Sequence, residues 1–195
     1  MTSAAILTGG RARRFEGRDK SQLRVQGRTM LERQLDALRG IVDRVWLAGY
    51  RGTGPLAPPL FALADRRPDH GPLAGLDAAL AAEPSGPVLL LACDMPNVTA
   101  PLLAHLLDQL DGVDAVVPKT EHGYHPLCAV YAQSCRTAVQ RRLDQGHLRM
   151  RDLLADLRIR TVDGPELASF GEPDSLLANV NTQAALDALE SQQNH

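Results

Sequence analysis

Val88-Leu89-Leu90-Leu91-Ala92-Cys93-Asp94-Met95-Pro96 opens as an unbroken apolar run and closes on a carboxylate and a proline. An apolar run without polar alternation reads as a strand covered on both faces, the pattern of a central strand in a parallel sheet. Pro96 has no N–H for a ladder, so pairing stops there and the chain turns. Asp94 therefore stands where the strand leaves the sheet, at the carboxyl edge where open α/β sheets take their ligands. Outward from this stretch, apolar strands alternate with amphipathic segments. Ala4–Leu7 and Val42–Ala48 are predicted strands, the second ended by Gly49. Thr29–Leu38 carries Met30, Leu31, Leu35 and Leu38 at helical spacing. Residues 52–60 form a loop rich in Gly and Pro, Phe61–Ala64 is a brief apolar run, and Leu73–Ala82 a helix of small residues.

Downstream, Pro101–Leu110 reads as a helix with Thr99 at its N-cap. Asp114–Val117, Leu127–Tyr131 and Arg158–Val162 read as strands, and Cys135–Leu143, Arg151–Leu157 and Gln183–Leu189 as helices. Such alternation implies a three-layer α/β/α sandwich with a mostly parallel, Rossmann-like sheet. A length of 195 residues fits a single domain.

Composition narrows the function classes. Hydrophobic residues make up 44% and charged residues 23%, enough to bury an ordinary globular core. A formal net charge of −2 argues against a generic nucleic-acid or membrane-surface binder. Residues 1–40, however, hold nine cations against four anions, which points to a local anion site. The longest apolar run is far short of the ~20 residues that span a bilayer. Met1-Thr2-Ser3-Ala4-Ala5-Ile6-Leu7 shows neither a basic nor a long apolar leader region, so no secretory signal is expected. Cys93, Cys128 and Cys135 form no CxxC pair, and a reducing cytoplasm suits them.

The basic amino-terminal segment contains Leu7-Thr8-Gly9-Gly10-Arg11-Ala12-Arg13-Arg14-Phe15-Glu16-Gly17-Arg18-Asp19-Lys20, directly after the first strand. Paired glycines let backbone N–H groups approach a phosphate, while Arg14 and Lys20 supply charge. The segment is neither a Walker A loop nor a dinucleotide fingerprint. Its arginines read equally well as solvated surface. Lys20 weighs toward function, because this chain uses Arg for 19 of its 21 cations and a retained Lys marks a need for a compact point charge. Lys119, the other Lys, has no evident task.

At Asp94 a single carboxylate suits Mg²⁺, which keeps its waters and borrows phosphate oxygens. The same group would alternatively cap the following turn. Gly71-Pro72-Leu73-Ala74-Gly75 lets a flat ring, or simply the sheet, pack closely on a helix. In Asn179-Val180-Asn181-Thr182 alternate residues point one way, so two amides would face one polar ligand; plain helix initiation explains the segment as well. His122 and His125 lack a third metal ligand nearby in sequence, and His125-Pro126 reads as a turn.

Taken together, Leu7-Thr8-Gly9-Gly10, Arg14, Gly17, Asp19-Lys20, Gly71-Pro72-Leu73-Ala74-Gly75, Cys93-Asp94-Met95-Pro96, His125-Pro126 and Asn179-Val180-Asn181-Thr182 resemble the molybdenum cofactor guanylyltransferase family in order and spacing. The resemblance runs from residue 4 to about residue 190. It implies binding of GTP and Mg²⁺ and transfer of GMP to the terminal phosphate of molybdopterin, with pyrophosphate released. It further implies a nucleotide-binding part over about 1–120 and an acceptor-binding part over about 121–195. By position, the Leu7–Gly9 backbone would recognise guanine, and Gly10, Arg14 and Lys20 would hold phosphates. Asp65 resembles a further nucleotide-contacting acid, Asp94 the Mg²⁺ ligand, and Asn179 and Asn181 the molybdopterin side. Gly9-Gly10 resembles the guanine-selecting form rather than the Ala-Gly of the related cytidylyltransferases.

The chain departs from the family at Phe15-Glu16, where Met-Gly is usual, and at Ala48-Gly49-Tyr50, where Asn is common. Proteins that deliver molybdopterin or mature molybdoenzymes would be the protein partners. Two alternatives stay open at this level: a related nucleotidyltransferase using CTP or another phosphorylated acceptor, and a non-catalytic nucleotide-binding protein, for which Glu16 inside the loop is the best argument.

Overall fold

Strand β1 (Ser3–Leu7) is buried along its whole length. A short ribbon of β2 (Arg24–Val25) and β3 (Arg28–Thr29) precedes helix α1 (Met30–Leu38), then come β4 (Arg44–Ala48), β5 (Leu60–Leu63) and α2 (Gly71–Ala82). Next follow β6 (Val88–Ala92), α3 (Ala100–Asp108), β7 (Ala115–Thr120), β8 (Gly123–Tyr124) and β9 (Cys128–Tyr131). Helices α4 (Arg136–Asp144) and α5 (Met150–Leu153), strand β10 (Ile159–Val162) and short helices α6 (Gly164–Ala168) and α7 (Pro173–Leu176) complete the succession. The structure is a computed structural model that describes residues 1–8, 23–25, 27–50, 52, 56–57, 59–64, 66–180 and 182. The helix expected at Gln183–Leu189 lies outside the described residues.

The main sheet runs β10-β7-β9-β6-β1-β4-β5, with β8 folded onto β7. Strands β5, β4, β1 and β6 are mutually parallel, and Leu7 is in register with Ala48 on one side and Ala92 on the other. The chain leaves β1 for β4 and β5, then crosses to the opposite flank as β6. The carboxyl ends of β1 and β6 thus frame a topological switch point, the place where such sheets open a ligand crevice. Strand β9 runs antiparallel to both β6 and β7. Its start therefore lies at the same edge as the ends of β1 and β6, and the Ala92 N–H donates to the Leu127 carbonyl at 2.8 Å.

Alternating side chains divide the core into two layers, as the period of a strand requires. Ala4, Ile6, Leu89 and Leu91 pack with Leu38 of α1, Leu102 and Leu106 of α3 and Leu167 of α6. Ala5, Leu7, Val88 and Leu90 pack with Leu73 and Leu76 of α2, Val139 of α4 and Leu153 of α5. Coverage on both faces is the reason the β6 run contains no polar residue. The expected α/β/α sandwich is present.

Local departures have identifiable causes. Phe61 continues the sheet as β5 because its ring packs on Trp46, centroids 5.4 Å apart, across the β4–β5 register. Thr99 occupies the α3 N-cap without a side-chain capping bond, its hydroxyl buried and unpartnered. Thr29 instead caps α1 in a reciprocal box with Glu32. The Cys135–Leu143 helix is preceded by a 3₁₀ turn at Gln133–Cys135, and the one expected at Arg151–Leu157 divides into α5 and a 3₁₀ turn at Leu154–Asp156.

Gly75 on α2 lies against the end of β1: a Cβ there would fall 2.5 Å from Leu7 Cδ2 and 3.7 Å from the Ala48 Cβ. Helix–sheet packing therefore accounts for this glycine. Gly75→Ala would gain ~1 kcal/mol of helix propensity but incur ~1–3 kcal/mol of overpacking. The net expectation is a melting temperature lowered by about 2–4 °C in calorimetry. An increase would show that Leu7 yields without cost.

At the opposite end of the sheet Asp114 ties three segments together. Its carboxylate accepts from the Ser134 hydroxyl at 2.6 Å and from the Arg158 N–H at 2.9 Å, and also from both Nε and Nη2 of the Arg158 guanidinium. Hydrogen bonds from the Arg158 and Ser134 side chains, then from the Arg158 backbone, hold this carboxyl far below the usual range. A depressed carboxyl pKa contributes stability that is present above the unfolded pKa of ~3.9 and lost as pH falls toward the folded value. Asp114→Ala should therefore cost about 2 kcal/mol near pH 7, mostly through the hydroxyl and backbone bonds, since the guanidinium is solvent-screened. The gap from wild type should shrink below about pH 3.9. A gap in denaturant stability that persists unchanged to pH 2 would contradict this role.

Candidate active site

At the carboxyl edge, β1 passes into Thr8. The Thr8 N–H donates to the Ala48 carbonyl at 2.9 Å and its hydroxyl to the same oxygen at 3.0 Å. The Leu7 carbonyl accepts from the Cys93 N–H at 3.3 Å. Leu7 and Thr8 are thus locked between β4 and the end of β6, beside Asp94. The Thr8 donors are committed to the sheet, so neither is available to a ligand at this edge. Gly9, Gly10, Arg14, Lys20 and Asp65 lie outside the described residues, as does Asn181.

Asp94 is half-buried in the turn after β6. Gln34, fully buried on α1, supports this turn from behind by donating to the Ala92 and Met95 carbonyls. From the front, residues 175–180 return across it. The Asn179 amide donates to Asp94 Oδ1 at 3.0 Å, the Val180 N–H to the Asp94 carbonyl at 2.8 Å, and Asn97 Nδ2 to the Ser175 carbonyl at 3.0 Å. Asn179, assigned to the acceptor side by resemblance, therefore also touches the proposed metal ligand. Nothing in the local sequence of either residue signals that contact, which spans 85 positions.

Next to Asp94 opens a cavity of about 680 Å³, lined among others by Met95, Tyr124, His125, Arg149, Arg151 and Asn179. The antiparallel start of β9 supplies one wall and the approach to α5 the other. Its floor is apolar, from Pro72, Pro126, Leu127, Leu148 and Met150, and its rim carries Arg149, Arg151 and Asp152. Lys119 lies 5.3 Å from the centroid of the Tyr124 ring, a cation–π contact with a residue of the pocket wall. His125 Nε2 is 3.1 Å from the Thr120 hydroxyl. Burial, then the charge of Arg151 and of His122, lowers the His125 pKa, only partly offset by Asp174. His125 is therefore a neutral part of the wall at pH 7, in keeping with the turn its sequence implied. An apolar floor with a cationic rim suits a flat organic molecule that carries an anionic group.

The cysteine side chains are core groups. Cys93 is packed in the core, and burial pushes the thiols of Cys128 and Cys135 up to about 12. Among the described residues no helix is long and apolar enough to cross a membrane.

Comparison with known proteins decides the family. The model of the MobA-like NTP transferase domain matches residues 4–162. The chain belongs to this family. As a MobA-like nucleotidyltransferase it is 30% identical over 188 residues to the molybdenum cofactor guanylyltransferase of Desulfosudis oleivorans, covering 95% of this chain and 93% of that one. It is 34% identical to the probable molybdenum cofactor guanylyltransferase of Haloferax mediterranei, over 95% and 91% of the two chains. The fold matches the crystal structure of molybdopterin-guanine dinucleotide biosynthesis protein A from Archaeoglobus fulgidus with a TM-score of 0.80 at 24% identity, over 98% of each chain. A 2-C-methyl-D-erythritol 4-phosphate cytidylyltransferase from Thermus thermophilus shares the fold at a TM-score of 0.68 and 18% identity, over 98% of each chain. The MobA-like match begins within β1 and ends with β10, so it takes in the switch point, Asp94 and the cavity apart from Asn179.

Proposed function

We propose that this chain transfers GMP from GTP to the terminal phosphate of molybdopterin, using Mg²⁺ and releasing pyrophosphate. The observation that carries the reading is the meeting, at one sheet edge, of the end of β1, the Asp94 carboxylate and a cation-rimmed cavity joined to Asp94 through Asn179. The names of the relatives support the choice of nucleotide and acceptor. The nucleotide would lie over residues up to about 120, with guanine against the Gly9 end of the Leu7–Gly9 backbone, since the Leu7 carbonyl and the Thr8 donors are engaged in the sheet, phosphates on Gly10, Arg14 and Lys20, and Asp65 as a further contact. The acceptor would occupy the cavity, with Asn179 and Asn181 and the Arg149 and Arg151 side chains toward its phosphate.

The donor chemistry of Asp94 fits Mg²⁺: hard carboxylate oxygens on a turn held from both sides, with phosphate oxygens and water to complete the shell. When bound, the ion would neutralise triphosphate charge and orient the α-phosphate. The rest follows from the chain. The acceptor phosphate, with a second pKa near ~6, is already largely an anion at neutral pH and needs no strong base. Its oxygen forms a bond to the α-phosphorus, the bond to the β-phosphate oxygen breaks, and pyrophosphate leaves with the electron pair. Lys20, Arg14 and the loop N–H groups would offset the charge that accumulates there, so catalysis is positioning and electrostatics. A reducing cytoplasm suits buried, protonated thiols and a nucleotide substrate. Pyrophosphate release from GTP that requires molybdopterin and Mg²⁺ tests the reading; equal release with CTP, or none with GTP, would overturn it.

A further inference from the structure

We infer that Asn179 is a positioning residue for the Asp94 carboxylate, so that the acceptor cavity and the metal–nucleotide side share one side chain. The inference rests on the proposed function insofar as Asp94 meets the metal. Its geometry is independent of the acceptor's identity.

A carboxylate only accepts, so the contact fixes the amide as donor, Nδ2 to Asp94 Oδ1 at 3.0 Å. The backbone delivers that donor rigidly. The Val180 N–H bonds the Asp94 carbonyl and Asn97 bonds the Ser175 carbonyl, while Leu176, Leu177 and Val180 are buried in the core, at most 5% exposed. Held at both ends, the backbone of residue 179 is fixed beside Asp94, and the exposed amide is aimed by its bond to the carboxylate. The residue type follows from the task. A neutral amide orients a carboxylate by a charge-assisted bond without cancelling the charge a cation needs. An Arg or Lys would compete with the metal, and an Asp would repel Asp94. Asn179 also lines the cavity beside Met95 and Leu148. Whatever settles in that cavity therefore bears on the group that orients Asp94, and by linkage the effect is mutual.

The test is Mn²⁺ binding in the presence of GTP, followed by electron paramagnetic resonance, with no acceptor added. Asn179→Ala should weaken Mn²⁺ roughly tenfold, and Asn179→Leu, similar in size but without a donor, at least as much. A packing role alone would spare the isostere. In an Asp94→Asn background, Asn179→Ala should add nothing. Should the alanine variant melt much lower, Asn179→Ser, too short to reach Asp94, carries the same expectation. Wild-type Mn²⁺ affinity in Asn179→Ala or Asn179→Leu, with only the acceptor KM raised, would overturn the inference and leave the proposed function standing. Failure of the unaltered chain to bind Mn²⁺ with GTP would overturn both.

Discussion

Asp94→Asn is expected to lower the rate of GTP-dependent pyrophosphate release about 10²–10³-fold while the protein stays folded. The substitution keeps the size of the side chain and removes its charge. Most of what holds the turn in place is untouched by it. Val180 bonds the main-chain carbonyl of residue 94, and Gln34 bonds the carbonyls of Ala92 and Met95, neither of which is the carboxylate. The loss should therefore fall on activity and on the concentration of Mg²⁺ needed, with a melting temperature within a few degrees of wild type. A rate near that of wild type at saturating GTP and Mg²⁺ would show that Asp94 merely caps its turn.

Lys20→Ala should cost on the order of 10²-fold in kcat/KM for GTP. The expectation comes from chemistry and sequence position, since residue 20 lies outside the described residues. The proposed reaction would bring one phosphate anion against another and expel pyrophosphate, so a compact point charge on the triphosphate would have much to stabilise. Lys20→Arg keeps the charge but replaces a compact ammonium by a planar fork. It should recover only part of the loss, and steady-state kinetics on both variants check this. Full recovery by arginine would mean that charge alone, and not its shape, is required.

The parts of the fold legible from sequence were those whose local pattern is decided by burial. The Val88–Ala92 run is apolar because both faces are covered, and the β1 and β4 strands follow the same logic. Short elements escaped. Helices α6 and α7 and strand β8 are each too brief to show a period, and β5 was masked by the prolines before it. Strand direction escaped as well: nothing in Leu127–Tyr131 says that β9 runs against its neighbours, yet that reversal brings His125 and Leu127 to the site edge. The place of Asp94 at the sheet edge was readable because the residue after a central strand must emerge there. The cavity was not, because Pro72, Met95, Tyr124, Arg149 and Asn179 meet only in space. Gly75 pointed to close packing without telling a ligand from the sheet, and Leu7 answers that question.

The bond from Val180 to Asp94 has a consequence for the order of events during synthesis. Strands β1, β4, β5 and β6 can pair once residue 92 has left the ribosome, before the β9 wall of the cavity exists. The turn that carries Asp94 acquires its front support only when residues 175–180 emerge and close a loop of more than eighty residues, a slow, non-local step. Competence for chemistry should thus be among the last properties the nascent chain acquires, well after its sheet has begun to form.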